Sequence, residues 1–109
     1  MPINSKEKGK RGELEIAELL RSYGYDGRRG VQYSGGPDSP DVLGMPGVHI
    51  EVKRVEKLNV HDAMKQAERD SGEKIPVVIH RKNRTPWLVT MNFDDFMKIY
   101  GGKKNGKDC

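Results

Sequence analysis

The 109 residues suffice for one domain that buries about two-thirds of its unfolded surface without disulfides. The single cysteine, Cys109, excludes a disulfide framework and a cysteine-based zinc site, and a reducing, cytoplasmic setting is expected. No apolar run has the length of a membrane span, so we expect a soluble protein. With 20 Lys and Arg against 16 Asp and Glu, the formal charge of +4 is compatible with a polyanionic partner. We expect residues 1–101 to form a single domain and residues 102–109 a disordered basic tail.

An amphipathic helix is predicted over residues 6–23. Its inward side carries the apolar residues Ile16, Ala17, Leu19, Leu20 and Tyr23. At about 100° per residue, Glu13 lies inside this stripe, whereas Glu15 and Glu18 lie outside it. Glu13 is therefore either a carboxylate in the first turns that the helix dipole favours, or a carboxylate directed inward for a function.

A hairpin is predicted in the next part of the chain. Residues 25–33 suggest an irregular strand, and residues 34–40 form a loop rich in Gly, Pro and Ser. The strands 41–43 and 47–53 can pair antiparallel around the turn at Pro46. This pairing brings Asp41 towards Glu51 and Lys53.

The second hairpin strand separates apolar from polar side chains, because successive residues alternate between its faces. The apolar face carries Val48, Ile50 and Val52. The other face carries His49, Glu51 and Lys53, and we expect it to hold the chemistry. Asp41 and Glu51 with a nearby lysine are what metal-assisted hydrolysis of a phosphodiester needs, although an isolated E-x-K is usually a solvated strand edge.

The rest of the chain predicts two helices and two strands. Asn59 is expected to cap a helix that continues to about residue 71. Its apolar stripe consists of Val60, Ala63, Met64 and Ala67. Strands are predicted at 75–80 and 87–91, joined by a basic turn at 81–86, and Asn92 could cap a last helix over 93–100.

The chain resembles the PD-(D/E)XK nuclease superfamily in the order of a helix with Glu13, then Asp41, then Glu51-Val52-Lys53, and then a further helix and strands. It is most similar to archaeal-type Holliday junction resolvases in two further patterns, over about residues 6–100. These are Gly9-Lys10-Arg11-Gly12-Glu13 before a leucine-rich run, and Arg28-Arg29 followed by Ser34-Gly35 and Asp41-Val42. The resemblance implies an α/β, restriction-endonuclease-like fold with a mixed central β-sheet flanked by helices.

The resemblance also implies roles for the site residues. Asp41 and Glu51 would ligate Mg²⁺ or Mn²⁺ together with the main-chain carbonyl of Val52, and Glu13 would contact the metal directly or through water. Lys53 would orient the attacking water and neutralise charge on the phosphoryl oxygens.

Several assignments stay open. Asp38 also follows a proline, but Asp41 is preferred because it opens an apolar strand. Gln66 either supports Lys53 or is a solvated surface residue, while His49 is expected to pack or to face solvent. Trp87 is expected in the core or in a dimer interface, as are Tyr25 and Tyr33. No ligand-spaced partner is evident for His61 or His80.

The expected function is metal-dependent cleavage of branched or four-way DNA by a homodimer, because symmetric incision of a junction calls for two active sites. The dimer contact is expected to use apolar residues of the strands at 75–79 and 87–91. A nuclease for another DNA structure and an inactive nucleic-acid-binding module are the alternatives. The basic residues expected to contact phosphate are Arg28, Arg29, Arg54, Lys57, Arg81, Lys82 and Arg84.

Overall fold

The computed structural model describes residues 5–30 and 40–101. The elements in chain order are α1 (Ser5–Ser22), β1 (Arg28–Arg29), β2 (Val42–Leu43), β3 (Val48–Arg54), α2 (Val60–Ser71), β4 (Ile75–Arg81), β5 (Leu88–Thr90) and α3 (Phe93–Tyr100). Asp38, Tyr33, most of the expected loop and the tail at 102–109 lie outside the described residues.

The five strands form one mixed sheet in the order β1-β2-β3-β4-β5. The β2–β3 pair is antiparallel, with Val42 opposite Ile50, as the hairpin prediction requires. The β3–β4 pair is parallel because α2 carries the chain back across the sheet, and Glu51 lies opposite Val78. Of the predicted 25–33 strand, residues 25–30 are described, and only Arg28 and Arg29 among them pair with β2.

Helices cover both faces of this sheet. Buried Ile16 and Ala17 of α1 pack with one set of strand residues: Val42, Ile50, Val52, Val77 and Ile79. On the opposite face, Val78 packs against α2 through Ala63, Met64 and Ala67. The fold is therefore the expected α/β arrangement, a mixed central sheet flanked by helices.

The inward side of α1 is narrower than predicted. Leu19 is 41% exposed and Tyr23 is 79% exposed, so their assignment to the inward side was wrong. Leu19 lies about 100° around the helix from the half-buried Leu20, and Tyr23 follows the last helical residue. Gly12 permits a close approach of α1 to β3, because a Cβ there would lie 3.2 Å from the Cβ of Arg54 and 3.3 Å from the Trp87 ring.

The later helices differ in their capping. Asn59 caps α2 as predicted, its Oδ1 accepting a hydrogen bond from the Asp62 amide at 3.0 Å. Asn92 precedes α3 but makes no side-chain capping bond, because its Nδ2 donates to Glu68 instead. No helix in the described ranges is long and apolar enough to cross a membrane.

Candidate active site

The hairpin brings the Asp41 carboxylate onto the edge of β3. The Asp41 amide donates to the Ile50 carbonyl at 2.9 Å, and the next ladder position is taken by the Asp41 side chain, whose Oδ2 accepts from the Val52 amide at 2.8 Å. Since the N–H and C=O of one strand residue point to the same edge, the Val52 carbonyl also faces the Asp41 side. Asp41 and this carbonyl thus offer oxygen donors at one edge of β3.

Glu51 lies next to Asp41 in a nearly dry environment. It is only 2% exposed, and its carboxyl group is in hydrogen-bonding contact with that of Asp41. Burial and, to a smaller extent, the Glu51 charge raise the pKa of Asp41 to about 6, against the opposing effects of the Val52 amide and Lys53. Burial likewise raises the pKa of Glu51, which Lys53 partly offsets. A cation that bound between the two carboxyls would therefore displace protons from them.

Glu13 approaches the same place from α1. Its side chain is 18% exposed, as expected for a residue inside the helix stripe, and it forms an ion pair with Arg29, whose Nε lies 2.7 Å from Glu13 Oε1. Burial raises the pKa of Glu13, and the Asp41 charge adds to this effect, while Arg29 lowers it. Arg29 thus occupies one oxygen of the Glu13 carboxylate.

Lys53 is held by α2. Its Nζ donates to Gln66 Oε1 at 2.9 Å, which is the supporting contact considered for Gln66. The charge of Lys53 lowers the pKa of both Asp41 and Glu51, so the ammonium group lies close to both carboxyls. The three polar groups that the E-x-K motif and the hairpin predict to be neighbours therefore lie together: Asp41, Glu51 and Lys53.

A further titratable group packs behind Glu51. His49 is 2% exposed, and its Nε2 lies 2.7 Å from Glu51 Oε2. Potential ligand atoms of His49, Glu51 and Asp70 lie within 4.8 Å of one another, and Glu13 and Asp41 belong to no such group in the described ranges. The period of the strand predicts that His49 and Glu51 share a face, but the strand pattern gives no sign that Asp70 of α2 covers this face.

The oxygen donors of Asp41, Glu51 and the Val52 carbonyl suit a hard cation such as Mg²⁺ or Mn²⁺. An imidazole nitrogen in the neighbouring group would favour Zn²⁺ or Ni²⁺ instead. The described residues therefore fit a divalent cation, with Asp41 and Glu51 as the carboxylates that the hairpin places together.

Part of the expected DNA-binding set is already engaged within the protein. Arg81 donates to Glu15 at 2.6 Å, Trp87 donates to the same oxygen at 2.7 Å, and Arg54 donates to Asn83 at 2.9 Å. The partners are 66, 72 and 29 residues apart, so no local sequence pattern indicates these contacts.

The remaining basic residues are more accessible. Arg28 pairs with Asp26 at 3.3 Å and stays exposed. Lys57, Lys82 and Arg84 are exposed and make no side-chain hydrogen bond or ion pair within the described residues. These three side chains are therefore free of contacts that would have to break within the described part of the chain before they bound an anion.

The sheet and its two helix layers define an α/β fold shared with a solved structure. That structure is Hjc, a Holliday junction resolvase from the archaeal hyperthermophile Archaeoglobus fulgidus, which the chain matches with a TM-score of 0.55 and 24% identity. The match covers 77% of this chain and 72% of that chain. No match was found among curated proteins.

The family is given by a separate comparison. The model of the phage PDDEXK endonuclease family matches residues 4–106, so the chain belongs to that family. This membership identifies the protein as a nuclease of the PD-(D/E)XK type.

Proposed function

We propose that the protein is a metal-dependent endodeoxyribonuclease that hydrolyses phosphodiester bonds in branched DNA, with the four-way junction as its preferred substrate. The observation that carries the proposal is the buried contact between the Asp41 and Glu51 carboxyls beside Lys53, in a chain of the phage PDDEXK endonuclease family. Two adjacent carboxyls of raised pKa are costly without a cation, and a polyanionic substrate adds to that cost.

The residues divide the work as follows. Asp41, Glu51 and the Val52 carbonyl would hold Mg²⁺ or Mn²⁺, which would act as a Lewis acid and would lower the pKa of a bound water. Lys53, oriented by Gln66, positions the attacking water and balances charge on the phosphoryl oxygens. Glu13 serves the same site once Arg29 releases it for a phosphate or for the metal shell. The products are expected to carry 5′-phosphates.

The junction preference has two supports. The structurally similar Hjc is a Holliday junction resolvase. In this chain, β5 and α3 carry an apolar surface that the other described residues leave exposed. We call this surface the β5–α3 face, and it consists of Leu88, Val89, Phe93, Phe96, Ile99 and Tyr100, each at least 45% exposed. A two-fold dimer through this face would supply the paired active sites that symmetric incision needs. We place the activity in the cytoplasm.

The expected use of residues 75–79 in the dimer contact was wrong, because β4 is central in the sheet. Val77, Val78 and Ile79 are buried within the chain, at 5%, 0% and 9% exposure. Only the later part of the expected contact, on β5, remains available to a second copy.

The carboxylate assignment is tested by substituting single oxygens. Asp41→Asn and Glu51→Gln should abolish cleavage of a four-way junction while junction binding stays within about a few-fold, because these groups serve the metal and not the DNA contact. Asp38→Asn, the same change in the rival proline–aspartate pair, is the matched control and should leave cleavage near normal. Cleavage rates and gel-shift affinities measured side by side give the answer.

Two outcomes would reverse the proposal. Full activity of Asp41→Asn or Glu51→Gln would remove the active-site assignment, and an inactive Asp38→Asn with an active Asp41→Asn would exchange the two aspartates. Junction binding without cleavage by the unaltered protein, with either Mg²⁺ or Mn²⁺, would favour a nucleic-acid-binding module. Cleavage of linear or flapped DNA in preference to junctions would favour a restriction-like or replication-associated nuclease.

A further inference from the structure

His49 and Glu51 form a buried polar pair on β3. Both residues are 2% exposed, and His49 Nε2 lies 2.7 Å from Glu51 Oε2. A buried carboxylate needs hydrogen-bond partners, because its desolvation is otherwise uncompensated. The imidazole supplies one at a fixed distance, on a strand whose neighbours on both sides hold its backbone in place.

Glu51 is thereby placed between two partners. The His49 imidazole contacts Oε2, and the Asp41 carboxyl is in hydrogen-bonding contact with the same Glu51 side chain. Asp70 of α2 is a further neighbour of this pair, since a carboxylate oxygen of Asp70 lies within 4.8 Å of the ligand atoms of both His49 and Glu51. The rotation of the Glu51 carboxylate is set by these neighbours before a cation arrives.

We propose that His49 is a positioning residue for Glu51, an inference that rests on the proposed nuclease function. With a proton on Nε2, the imidazole donates to Glu51 Oε2 and turns the carboxylate towards the site that it shares with Asp41. His49 itself does not ligate the metal. Hydrogen bonds from such outer partners to metal-ligating groups generally account for about 10- to 100-fold in metal affinity or activity.

The test compares side chains at position 49 that differ in whether they carry a hydrogen-bond donor and in how far that donor extends from the backbone. His49→Gln keeps an amide nitrogen near the position of Nε2, His49→Asn holds the same amide one methylene short, and His49→Leu fills the space without a donor. Mn²⁺ dissociation constants from calorimetry, junction cleavage rates and junction affinities in EDTA are measured for each. If His49→Leu does not fold, the Gln and Asn variants still make the comparison.

The expected result is a loss of about 10- to 100-fold in Mn²⁺ affinity for His49→Asn and His49→Leu, with slower cleavage. His49→Gln should stay within about a few-fold of the unaltered protein, and junction affinity in EDTA should be unchanged throughout. A purely packing role would make the Gln and Asn variants equal in Mn²⁺ affinity, which would overturn the proposal.

Pulsed electron paramagnetic resonance of bound Mn²⁺ separates positioning from ligation. No directly coordinated nitrogen is expected, and a nitrogen signal that is lost in His49→Leu would make His49 a ligand and overturn its positioning role. If the unaltered protein bound no Mn²⁺ and cut no DNA, the nuclease proposal would fail and the role of His49 with it. Normal binding and cutting in all His49 variants would overturn the role of His49 alone.

Discussion

Burial of the Asp41 carboxyl lowers the stability of the metal-free protein, although the proposed metal site needs this carboxyl. Burial and, to a smaller extent, the charge of Glu51 raise its pKa to about 6. At neutral pH without metal, the folded protein therefore holds an ionised carboxylate that would be more stable in water. A bound cation removes this penalty, so the same residue that weakens the metal-free fold should strengthen the metal-bound one.

The pH dependence of stability follows from this shift. A carboxyl with a folded pKa near 6 and an ordinary unfolded pKa binds more protons when folded, so its contribution falls as pH rises from about 4 to 6. Asp41→Asn should therefore raise the metal-free free energy of unfolding at pH 7.5 by about 1–3 kcal/mol, with the difference vanishing near pH 4. Urea unfolding across this pH range measures it.

The control for this prediction is Asp26→Asn, at an exposed position whose side chain is 81% exposed. It should show no pH-dependent difference from the unaltered protein. Mn²⁺ should stabilise the unaltered protein and not Asp41→Asn. A less stable Asp41→Asn at pH 7.5, or a difference that does not change with pH, would show that the Asp41 carboxylate is not strained by burial.

The positions of some site residues were predictable from the sequence. Alternation along a strand places Glu51 and Lys53 on one face, and helical period places Glu13 inward; both are found. The His49–Glu51 contact and the covering Asp70 were not predictable, because which helix residue covers a strand face depends on packing between elements. The same holds for Glu15, which lies outside the α1 stripe yet binds Arg81 and Trp87.

Helix α1 sets the position of Glu13 by its distance from β3. Gly12 faces the sheet, where a Cβ would meet Arg54, Trp87 and Val52 at 3.2–3.4 Å, whereas nothing lies within 4 Å of a Cβ at Gly9. Gly12→Leu should therefore force the helix away from β3 and lower the free energy of unfolding by about 1–3 kcal/mol. It should also slow cleavage, because Glu13 is the next residue.

Gly9→Leu is the matched control in the same helix. It should raise the free energy of unfolding by about 0.5–1 kcal/mol, because leucine favours a helix over glycine and meets no obstacle here. Thermal melts and single-turnover cleavage of both variants check the pair. Equal effects of the two substitutions would mean that the contact between α1 and β3 does not depend on Gly12.

The elements themselves differed in how well the sequence predicted them. The helix α2 and the strand β3 have clear periods and β4 is a continuous apolar run, and all three end within about a residue of expectation. The prediction made β1 longer than the two residues that pair with β2, because the extent of β1 depends on how much of β2 is available to pair. The parallel register of β3 and β4 is a property of the crossover, which no strand pattern indicates by itself.

The β5–α3 face is the proposed contact between two copies of the protein. Among the described residues, nothing covers its apolar side chains fully, and Phe93 is 72% exposed and Val89 60% exposed. The double variant Val89→Glu, Phe93→Glu should therefore fold but sediment as a monomer, where the unaltered protein sediments as a dimer. The variant should nick four-way junctions without resolving them.

Tyr23→Glu provides the control, because Tyr23 is 79% exposed but lies beyond the end of α1. It should leave both the dimer and the paired incisions intact. Analytical ultracentrifugation with junction resolution measured on the same samples distinguishes the cases. A monomeric unaltered protein that still makes paired incisions would contradict the dimer.

The most direct test of the account is single-turnover cleavage of a labelled four-way junction as a function of Mg²⁺ concentration, with linear and flapped DNA of the same sequence alongside. We predict cleavage that rises from zero with Mg²⁺, stops on addition of excess EDTA, favours the junction and leaves 5′-phosphate ends. Cleavage that continues in excess EDTA would contradict the metal-dependent mechanism built on Asp41, Glu51 and Lys53, and equal rates on all three DNA forms would contradict the junction preference.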